Sequence, residues 1–499
     1  MTSPQQAVDW QARAQALQPR RQLFIDGQFA PARSGETFEC ISPIDGRVIA
    51  PVAAGAAPDV DAAVASGRAA FDRGDWSRAA PKHRKQVLLR FAELLRANRD
   101  ELALTETLDM GKPISDSLSV DVPSCANCIQ WYAEAVDKIY DEVAPTGRNS
   151  LALITREPLG VIGAIVPWNF PMLMAAWKLG PILAAGNSIV LKPSEKSPLT
   201  ALRMAELALE AGLPAGVFNV VTGFGHVAGK ALASHMDVDG VAFTGSTATG
   251  KLIMGYAAQS NLKRVSLECG GKSPNIVMAD CRDVERAARA AAYAIFFNQG
   301  EMCSAGSRLV VHESLKDQML EQIAIVGREL QPGDPLDPAT RLGAIVDAQQ
   351  LQRVLGYIDA GRQDGARLAF GGTQVRKQSG GSYIEPTAFD GVRSDMRIAR
   401  EEIFGPVLAT ITFRDEAEAI AIANDTAYGL AAAVWTRDLD TAHRMARAIR
   451  AGMVYVNCYD ADDITVPFGG FKQSGMGRDK SLHAFDKFTE LKTTWIELQ

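Results

Sequence analysis

The feature that most constrains the fold is a regular alternation of short apolar runs and helical segments over residues 161–270. Runs rich in branched side chains, such as GVIGAIVPW and GVAFTGS, alternate with stretches of helical spacing, such as PLTALRMAELALEAG. This alternation predicts βαβ units and a parallel, doubly wound sheet. Ligands of such sheets bind at the carboxyl ends of the strands.

The alternation continues after residue 270, from PNIVMA to GMVYVN near residue 455, so we expect a second α/β domain. Residues 141–160 are typical of two β segments around a TGRN turn. They lie outside the alternation, as an arm would.

Composition and charge exclude several classes of protein. The 499 residues carry 52 Lys and Arg against 58 Asp and Glu, so the net charge is −6, without a long run of one sign. This balance argues against nucleic acid or an anionic membrane as the main partner. No apolar run approaches the roughly 20 residues that span a bilayer. Seven scattered cysteines and an N-terminus without an apolar signal core favour a reduced, cytoplasmic setting.

One cysteine has unusual neighbours. Cys303 lies in FFNQGEMCSAGSR, among glycines, amides and hydroxyl groups. An interior cysteine normally packs against branched apolar side chains. The stretch alone leaves three interpretations of Cys303: structural filler, metal ligand or nucleophile.

Glycine-rich turns follow two of the predicted strands. GSTATGK (residues 245–251) imitates a phosphate-binding loop, but Leu252 stands where that loop needs Ser or Thr, which disfavours a nucleotide triphosphatase. GFGHVAG (residues 223–229) does not have the GxGxxG spacing. Either turn can offer N–H groups to a pyrophosphate, or can simply be tight enough to need glycine.

Several charged residues and one cysteine pair each have two interpretations. Lys192 and Glu195 in LKPSE could hold the two hydroxyls of a ribose or form a surface ion pair. Glu268 ends an apolar strand before two glycines, where it is either an acceptor of N–H groups or a general base with a raised pKa. Cys125 and Cys128 form a CxxC without a second ligand pair, which favours helix packing over zinc.

Taken in order, these segments resemble the aldehyde dehydrogenase superfamily across nearly the whole chain. The matching segments are VPWNFP, LKPSE, FTGS with Gly250, LECGGKSP, NQGEMCSAGSR, EEIFGP and PFGGFKQSG. WYAEAVDKIYDEVAP, LQPGDPLDPAT and GRDKSLHAFDKFTELKT are similar to bacterial enzymes for γ-glutamyl-γ-aminobutyraldehyde and 4-guanidinobutyraldehyde. The resemblance implies NAD-dependent oxidation of an aldehyde to its acid, with no metal required.

The resemblance also implies the catalytic residues. Cys303 matches the nucleophile, which passes through a thiohemiacetal and a thioester. Asn169 and the backbone N–H of Cys303 would hold the oxyanion, and Glu268 would activate water. Lys178 and Asp479 match a proposed proton-relay pair in which Glu is commoner than Asp. Glu268 argues against transfer of the acyl group to CoA, and the retained set argues against a non-catalytic scaffold.

The cofactor contacts follow from the same resemblance. Lys192 and Glu195 would hold the adenine ribose, where the carboxylate would repel a 2′-phosphate and favour NAD over NADP. Ser246 would bind the pyrophosphate and Glu402 the nicotinamide ribose. The full predicted set is Val166, Trp168, Lys192, Glu195, Gly225, Gly229, Gly245, Ser246, Glu402 and Phe404.

Two residues depart from the family pattern. Glu301 replaces the usual Gln before the nucleophile, and its charge would raise the pKa of the thiol unless the side chain is paired or points away. Cys269 replaces the usual Leu after Glu268, either as a peroxide-sensitive second thiol or as a small apolar substitution.

The substrate is predicted from an apolar helix face and an acidic loop. Phe170, Leu173, Met174 and Trp177 share one face, which is either core or, by the resemblance, the wall of a substrate tunnel. In NCYDADDITVPFGG, Asp462 stands where relatives that oxidise simple aldehydes have a tunnel aromatic.

Asp460 and Asp463 flank Asp462, and Asp121 would approach from the other side. Carboxylates beside an apolar tunnel favour a cationic ω-amino or guanidino aldehyde, whereas a solvated acidic loop would leave a broad enzyme for uncharged aldehydes. The predicted substrate contacts are Phe170, Met174, Trp177, Asp121, Met302, Asp462 and Phe468.

The family organisation implies the division of the chain. Residues 1–140 and 161–270 would form the NAD-binding domain and residues 271–470 the catalytic domain. Residues 141–160 and 480–499 would form an oligomerisation arm. We expect the arm and the C-terminal FTELKTTWIEL strand to pair between subunits in a homodimer or homotetramer.

Overall fold

Residues 161–268 form the parallel part of an eight-stranded sheet, as the alternation predicts. The structure is a computed structural model that describes residues 8–498, so residues 1–7 of the N-terminal segment lie outside the described residues. In spatial order the strands are Gln28–Ala30, Leu23–Ile25, Phe218–Val220, Ser188–Lys192, Val161–Ile165, Gly240–Thr244, Arg264–Glu268 and Gly475–Met476. The five central strands run parallel, and the chain winds from Val161–Ile165 first to one side and then to the other.

Helices cover both faces of this sheet. Between its strands lie the helices Pro171–Ala185, Leu199–Glu210, Lys230–Ser234 and Thr247–Ala258, with a π-helical turn at Gly225–Gly229. The N-terminal helices are Trp10–Ala16, Ala57–Arg73, Pro81–Ala97, Arg99–Met110, Ile114–Asp116, a π turn at Ser117–Asp121, and Val122–Ala135. Cys125 and Cys128 are both buried in the last of these, in agreement with a packing role. The strands Thr37–Ile41 and Val48–Ala53 form a separate hairpin.

The second half folds around another α/β sheet, as expected. Its order is Arg367–Phe370, Thr387–Asp390, Val407–Phe413, Arg308–His312, Pro274–Val277, Ala431–Trp435 and Met453–Val456. All neighbours are parallel except the first pair. Its α-helices are Val284–Phe296, Lys316–Glu329, Ala348–Gln363, Arg397–Arg400, Glu416–Asn424 and Leu439–Ala448. The 3-10 turns are Phe297–Gly300, Glu313–Leu315, Lys377–Ser379, Lys472–Ser474 and Leu482–Lys487, and Gln374–Val375 pairs with Tyr383–Ile384.

The predicted pairing of the arm needs correction. Thr489–Glu497 pairs antiparallel with Ser150–Pro158 within one chain, and Glu142–Ala144 completes a three-stranded sheet. The two segments are joined along their whole length because the end of the chain returns beside the arm. The homo-oligomer and the domain boundaries remain predictions. Among residues 8–498, no helix is both long enough and apolar enough to cross a membrane.

Candidate active site

The loop that carries Cys303 is built on a left-handed turn. The helix Val284–Phe296 ends in a short 3-10 turn, in which Asn298 and Gln299 have φ values of 48° and 59°. At Gly300, a Cβ would lie 2.3 Å from the carbonyl oxygen of Gly405, so this position excludes any side chain. The turn directs Cys303 toward the ends of two strands of the first sheet.

One cavity collects most of the predicted catalytic groups. It lies where Gly240–Thr244 and Arg264–Glu268 end, at the carboxyl edge that the doubly wound topology favours. Its wall is formed by Pro167, Trp168, Asn169, Met174, Thr244, Gly245, Ser246, Glu268, Cys269, Gly270, Cys303, Gln350, Arg353, Glu402 and Phe404. A thiol, a carboxyl group and a side-chain amide therefore meet in one concave site.

The two glycines after Cys269 explain how these groups come together. A Cβ on Gly271 would lie 2.5 Å from the carbonyl oxygen of Cys303, and one on Gly270 would lie 2.1 Å from Oε2 of Glu402. Neither position can hold a larger residue without displacing a group of the site. Packing alone thus requires glycine beside both Cys303 and Glu402.

Asn169 is fixed by the backbone of the Cys303 loop. It is buried, and its Nδ2 donates to the carbonyl oxygen of Glu301 at 2.8 Å. Asn298 braces the same place, because its Nδ2 donates to the carbonyl oxygens of Asn169 and Glu301, both at 3.2 Å. The amide is therefore held in position before any substrate binds, as an oxyanion donor must be.

Asn169→Ala is expected to lower kcat by about 10²–10³, because it removes the amide that is predicted to hold the oxyanion. Steady-state NADH formation with a saturating aldehyde measures the effect. Asn298→Ala is the partner variant: it loses the brace and not the donor, so its loss should be smaller. Equal activity of Asn169→Ala and the wild type would contradict the role of the amide.

The surroundings of Cys303 and Glu268 raise the pKa of both groups. Burial raises the pKa of the Cys303 thiol well above its usual range, and nearby Glu268, Glu402 and Asp460 raise it further. Burial also raises the pKa of Glu268 well above that of a free carboxyl group, with a further contribution from Asp479. Oε1 of Glu268 is buried without a hydrogen-bond partner among residues 8–498, so no N–H group there donates to it. This arrangement favours the general-base interpretation.

Lys178 and Asp479 form a buried ion pair beneath Glu268. Lys178 donates to Asp479, and both side chains are 2% exposed. Asp479 is held in place because its backbone N–H and carbonyl both pair with Phe468. Burial alone would raise the pKa of Asp479, but Lys178 and Lys487 together lower it to about 2.

The predicted cofactor residues fall into two groups. Trp168, Gly245, Ser246, Glu402 and Phe404 line the cavity, whereas Val166, Lys192, Glu195, Gly225 and Gly229 do not. In the second group, Lys192 is buried and donates to Glu195 at 3.0 Å, so this is no exposed surface pair. A Cβ on Gly229 would come within 4.0 Å of the Lys192 side chain, and one on Gly225 would meet open space.

The cavity contacts have defined partners. Ser246 caps the helix Thr247–Ala258 and accepts from the backbone N–H of Thr249. Oε1 of Glu402 accepts from the N–H of Gly271 at 3.1 Å, and burial raises the pKa of this carboxyl group to about 7. The rings of Trp168 and Phe404 meet edge to face, with centroids 5.1 Å apart.

Two cavity residues were not found from the sequence. Gln350 donates to the carbonyl oxygens of Ile403 and Phe404, and Arg353 donates to that of Glu402. Both lie on the helix Ala348–Gln363, three residues apart, and hold the segment that carries Glu402. No motif marks them, and only their i, i+3 spacing could have suggested a common face.

The side chain of Glu301 is bound to the backbone of Val346 and not to the thiol. It is buried, its Oε1 accepts from the N–H of Val346 at 3.1 Å, and burial raises its pKa well above the usual range. Cys269 is buried against Gly250 and Leu267, and burial raises its pKa to about 12. These features favour a paired, neutral Glu301 and an apolar role for Cys269.

The predicted tunnel residues pack together near Cys303. Phe170, Met174 and Trp177 are buried, and Trp177 lies against Phe468 with ring centroids 5.2 Å apart. One apolar cluster joins them to Leu173, Phe297, Met302, Cys303 and Ile464.

The carboxylates predicted beside the tunnel have partners in the structure. Asp462 is 62% exposed but pairs with Lys480, which lies over the Trp177 ring at 5.7 Å. Asp121 is fully buried and accepts a hydrogen bond from Lys112 at 2.6 Å. Asp460 instead approaches the catalytic loop, where it accepts from the hydroxyl of Ser304 at 3.1 Å.

Comparison with known proteins agrees with this geometry. The model of the aldehyde dehydrogenase family matches residues 29–494. The NADP/NAD-dependent aldehyde dehydrogenase PuuC of Escherichia coli (strain K12) is 54% identical over 490 residues, which cover 98% of each chain.

Solved structures extend the similarity. The γ-glutamyl-γ-aminobutyraldehyde dehydrogenase of Burkholderia cenocepacia J2315 is 62% identical with a TM-score of 0.97, over 98% of this chain and 99% of that one. A mutant of the P. syringae indole-3-acetaldehyde dehydrogenase AldA, in complex with NAD+ and IAA, is 63% identical with a TM-score of 0.98 over the same shares. This chain belongs to the aldehyde dehydrogenase family.

Proposed function

We propose that this protein oxidises an aldehyde to its carboxylic acid with NAD, through a covalent bond to Cys303. The observation that carries the proposal is the cavity that brings Cys303, Glu268 and Asn169 together at the carboxyl edge of a doubly wound sheet. Packing has no use for a thiol, an unpartnered carboxyl group and a braced amide in one concave site.

The residues around the cavity fit NAD. The helix that starts after Ser246 offers N–H groups and a positive end to a pyrophosphate. The Lys192–Glu195 pair and the open space beside Gly225 suit a ribose and an adenine, and Glu402 suits the second ribose. When bound, NAD supplies the hydride acceptor. Glu195 disfavours a 2′-phosphate, so we expect NAD to be preferred over NADP.

Cys303 starts the reaction by adding to the carbonyl carbon. Its thiol proton leaves first to solvent water, and the sulfur then attacks as a thiolate. The new C–S bond turns the carbonyl oxygen into an oxyanion, which Nδ2 of Asn169 and the N–H of Cys303 stabilise. When the same carbon loses hydride, the oxyanion collapses and leaves a thioester on Cys303.

Glu268 completes the cycle by hydrolysis. Its carboxylate takes a proton from water while the water oxygen adds to the thioester carbon. The C–S bond then breaks, which releases the acid and the sulfur of Cys303. The proton held by Glu268 leaves toward Lys178 and Asp479, which lie in the crevice beside it.

For the substrate we propose an ω-amino or guanidino aldehyde. Asp460, Asp462 and Asp463 lie near one lysine, Lys480, so this group has a formal net charge of −3 + 1 = −2, although burial raises the pKa of Asp460. A negative tunnel wall attracts a cationic tail. The similarity to a γ-glutamyl-γ-aminobutyraldehyde dehydrogenase supports this class. The equal similarity to an indole-3-acetaldehyde dehydrogenase supports the alternative, an enzyme for uncharged aldehydes.

We expect kcat/KM for 4-aminobutyraldehyde to exceed that for butyraldehyde by about tenfold, a difference of about 1.4 kcal/mol. Asp462→Asn should remove the preference, because Lys480 would then repel a cationic tail. Initial rates of NADH formation at equal low concentrations measure both values. Asp395→Asn is the matched control, since Asp395 is 70% exposed and pairs with Arg393 outside the loop. If butyraldehyde is the better substrate, the alternative is correct.

We also propose that the protein is a homo-oligomer. The arm sheet presents large apolar side chains to solvent on one face, where Leu491 is 59% and Trp495 60% exposed. Apolar surface grouped in this way is typical of a protein interface. Light scattering of the purified protein would give the number of subunits, and a monomer would contradict the proposal.

A further inference from the structure

Asp479 is held by two lysines, of which the sequence suggested only one. Lys178 donates to Oδ2 and Lys487 donates to Oδ1. Lys487 ends the 3-10 turn Leu482–Lys487, and its side chain is 9% exposed. Two ammonium groups and one carboxylate thus leave one positive charge in excess in a buried site. An excess buried charge destabilises the fold, so its presence suggests a functional role.

This group of three reaches the wall of the active-site cavity. A small crevice is lined by Lys178, Ser266, Leu267, Glu268, Met476, Gly477, Arg478, Asp479 and Lys487. Glu268 also lines the active-site cavity, so its carboxyl group stands between the cavity and the crevice.

The other end of the crevice is open to solvent. Met476 is 43% exposed, and Gly477 is exposed beside it. The stem of Lys487 passes over Gly477, where its Cδ lies 3.1 Å from the position that a Cβ would occupy. The ammonium group of Lys487 therefore lies between Asp479 and the surface at residues 476–478.

We propose that Lys487 is a positioning residue for Glu268, which holds Asp479 in place and completes the path by which protons from Glu268 reach solvent. This inference rests on the proposed function. Glu268 passes its proton to the carboxylate of Asp479, and Lys487, as a neutral amine, accepts it from Asp479. As an ammonium group, it gives that proton to bulk water, so the number of protons is conserved in each turnover.

The charges around Glu268 are consistent with this role. Burial lowers the pKa of Lys487 to about 8, although Asp479 opposes the shift, so proton release takes place near neutral pH. Lys487 in turn lowers the pKa of Glu268, which burial and Asp479 raise. The ionisable groups that face Glu268 are Lys178, Cys269, Cys303, Arg478, Asp479 and Lys487.

The test compares the pH dependence of kcat in the full-length enzyme and its variants. Lys487→Met removes the ammonium group and keeps the length of the side chain, Lys487→Gln is a second neutral variant, and Lys487→Arg restores a cation. Lys492→Met is the matched control, because Lys492 is 60% exposed and pairs with Glu157 outside the crevice. Melting temperatures of all variants report folding.

We expect Lys487→Met to lower kcat at pH 7 by about tenfold. The acid side of its pH profile should move to higher pH, since the pKa of Glu268 rises when the cation is lost. Lys487→Arg should return the profile toward that of the wild type, and Lys492→Met should not change it.

Two results would overturn the role of Lys487 alone. In the first, both neutral variants have the same pH profile of kcat as an active wild type. In the second, the neutral variants lose kcat equally at every pH and have a lowered melting temperature. A wild-type protein that forms no NADH with any aldehyde would instead overturn the proposed function.

Discussion

Cys303→Ala is expected to abolish aldehyde-dependent NADH formation, with kcat/KM lower than in the wild type by at least about 10⁴-fold. Without the sulfur no C–S bond forms, so neither hydride loss from a covalent adduct nor a thioester is available. Cys269 is not expected to take over the reaction, because its thiol is buried, whereas Cys303 is partly exposed. Absorbance of NADH at saturating aldehyde and cofactor measures the loss.

Two controls distinguish lost chemistry from lost structure. Cys128→Ala removes a buried thiol from the helix Val122–Ala135, away from the cavity, and should keep wild-type kinetics unless packing is disturbed. Binding of NAD to Cys303→Ala, followed by protein fluorescence, should remain. If Cys303→Ala kept a tenth or more of the activity, another group would have to be the nucleophile.

Glu268→Gln is expected to lower kcat by about 10²–10³ while it leaves the NADH of the first turnover detectable. The glutamine keeps the shape of the side chain but takes no proton from water, so the thioester accumulates. In the wild type, kcat should rise with pH on the acid side, because burial raises the pKa of Glu268 and only its carboxylate is a base. The variant should lose this dependence.

Glu301→Gln provides the matched control for Glu268→Gln. Glu301 is also a fully buried carboxyl group in the loop of Cys303, but it is bound to the N–H of Val346, and burial raises its pKa well above the usual range. An amide at this position should therefore change kcat little. Equal losses in the two variants would mean that burial of a carboxyl group, and not its basicity, is what the site requires.

The parallel sheets could be predicted from the sequence because their signal is local. Most strands of residues 161–268 are apolar runs bounded by helical spacing, and this pattern is readable within about 15 residues. The pairing of Thr489–Glu497 with Ser150–Pro158 could not be predicted in this way. It joins segments more than 300 residues apart, and an exposed strand edge carries no mark of which strand will cover it.

The ion pairs of the site also could not be predicted from the local sequence. The aspartates of the 460–463 loop were visible in the sequence, but the lysine that pairs with Asp462 lies 18 residues later on another segment. The contact of Lys487 with Asp479 was missed for a related reason, since no motif connects them. Charge counts predict the sign of a surface, whereas the partner of each charge depends on tertiary packing.

The most direct test of the central claim is mass spectrometry of the cysteine peptides of Glu268→Gln. The variant would be mixed with NAD and an aldehyde, stopped with acid within one turnover, and digested. The thioester on Cys303 predicts that its peptide gains the mass of the aldehyde minus two hydrogens, and that the other cysteine peptides are unchanged. An unmodified Cys303 peptide in a sample that has formed NADH, or an acyl group on another cysteine alone, would contradict the covalent mechanism proposed for Cys303.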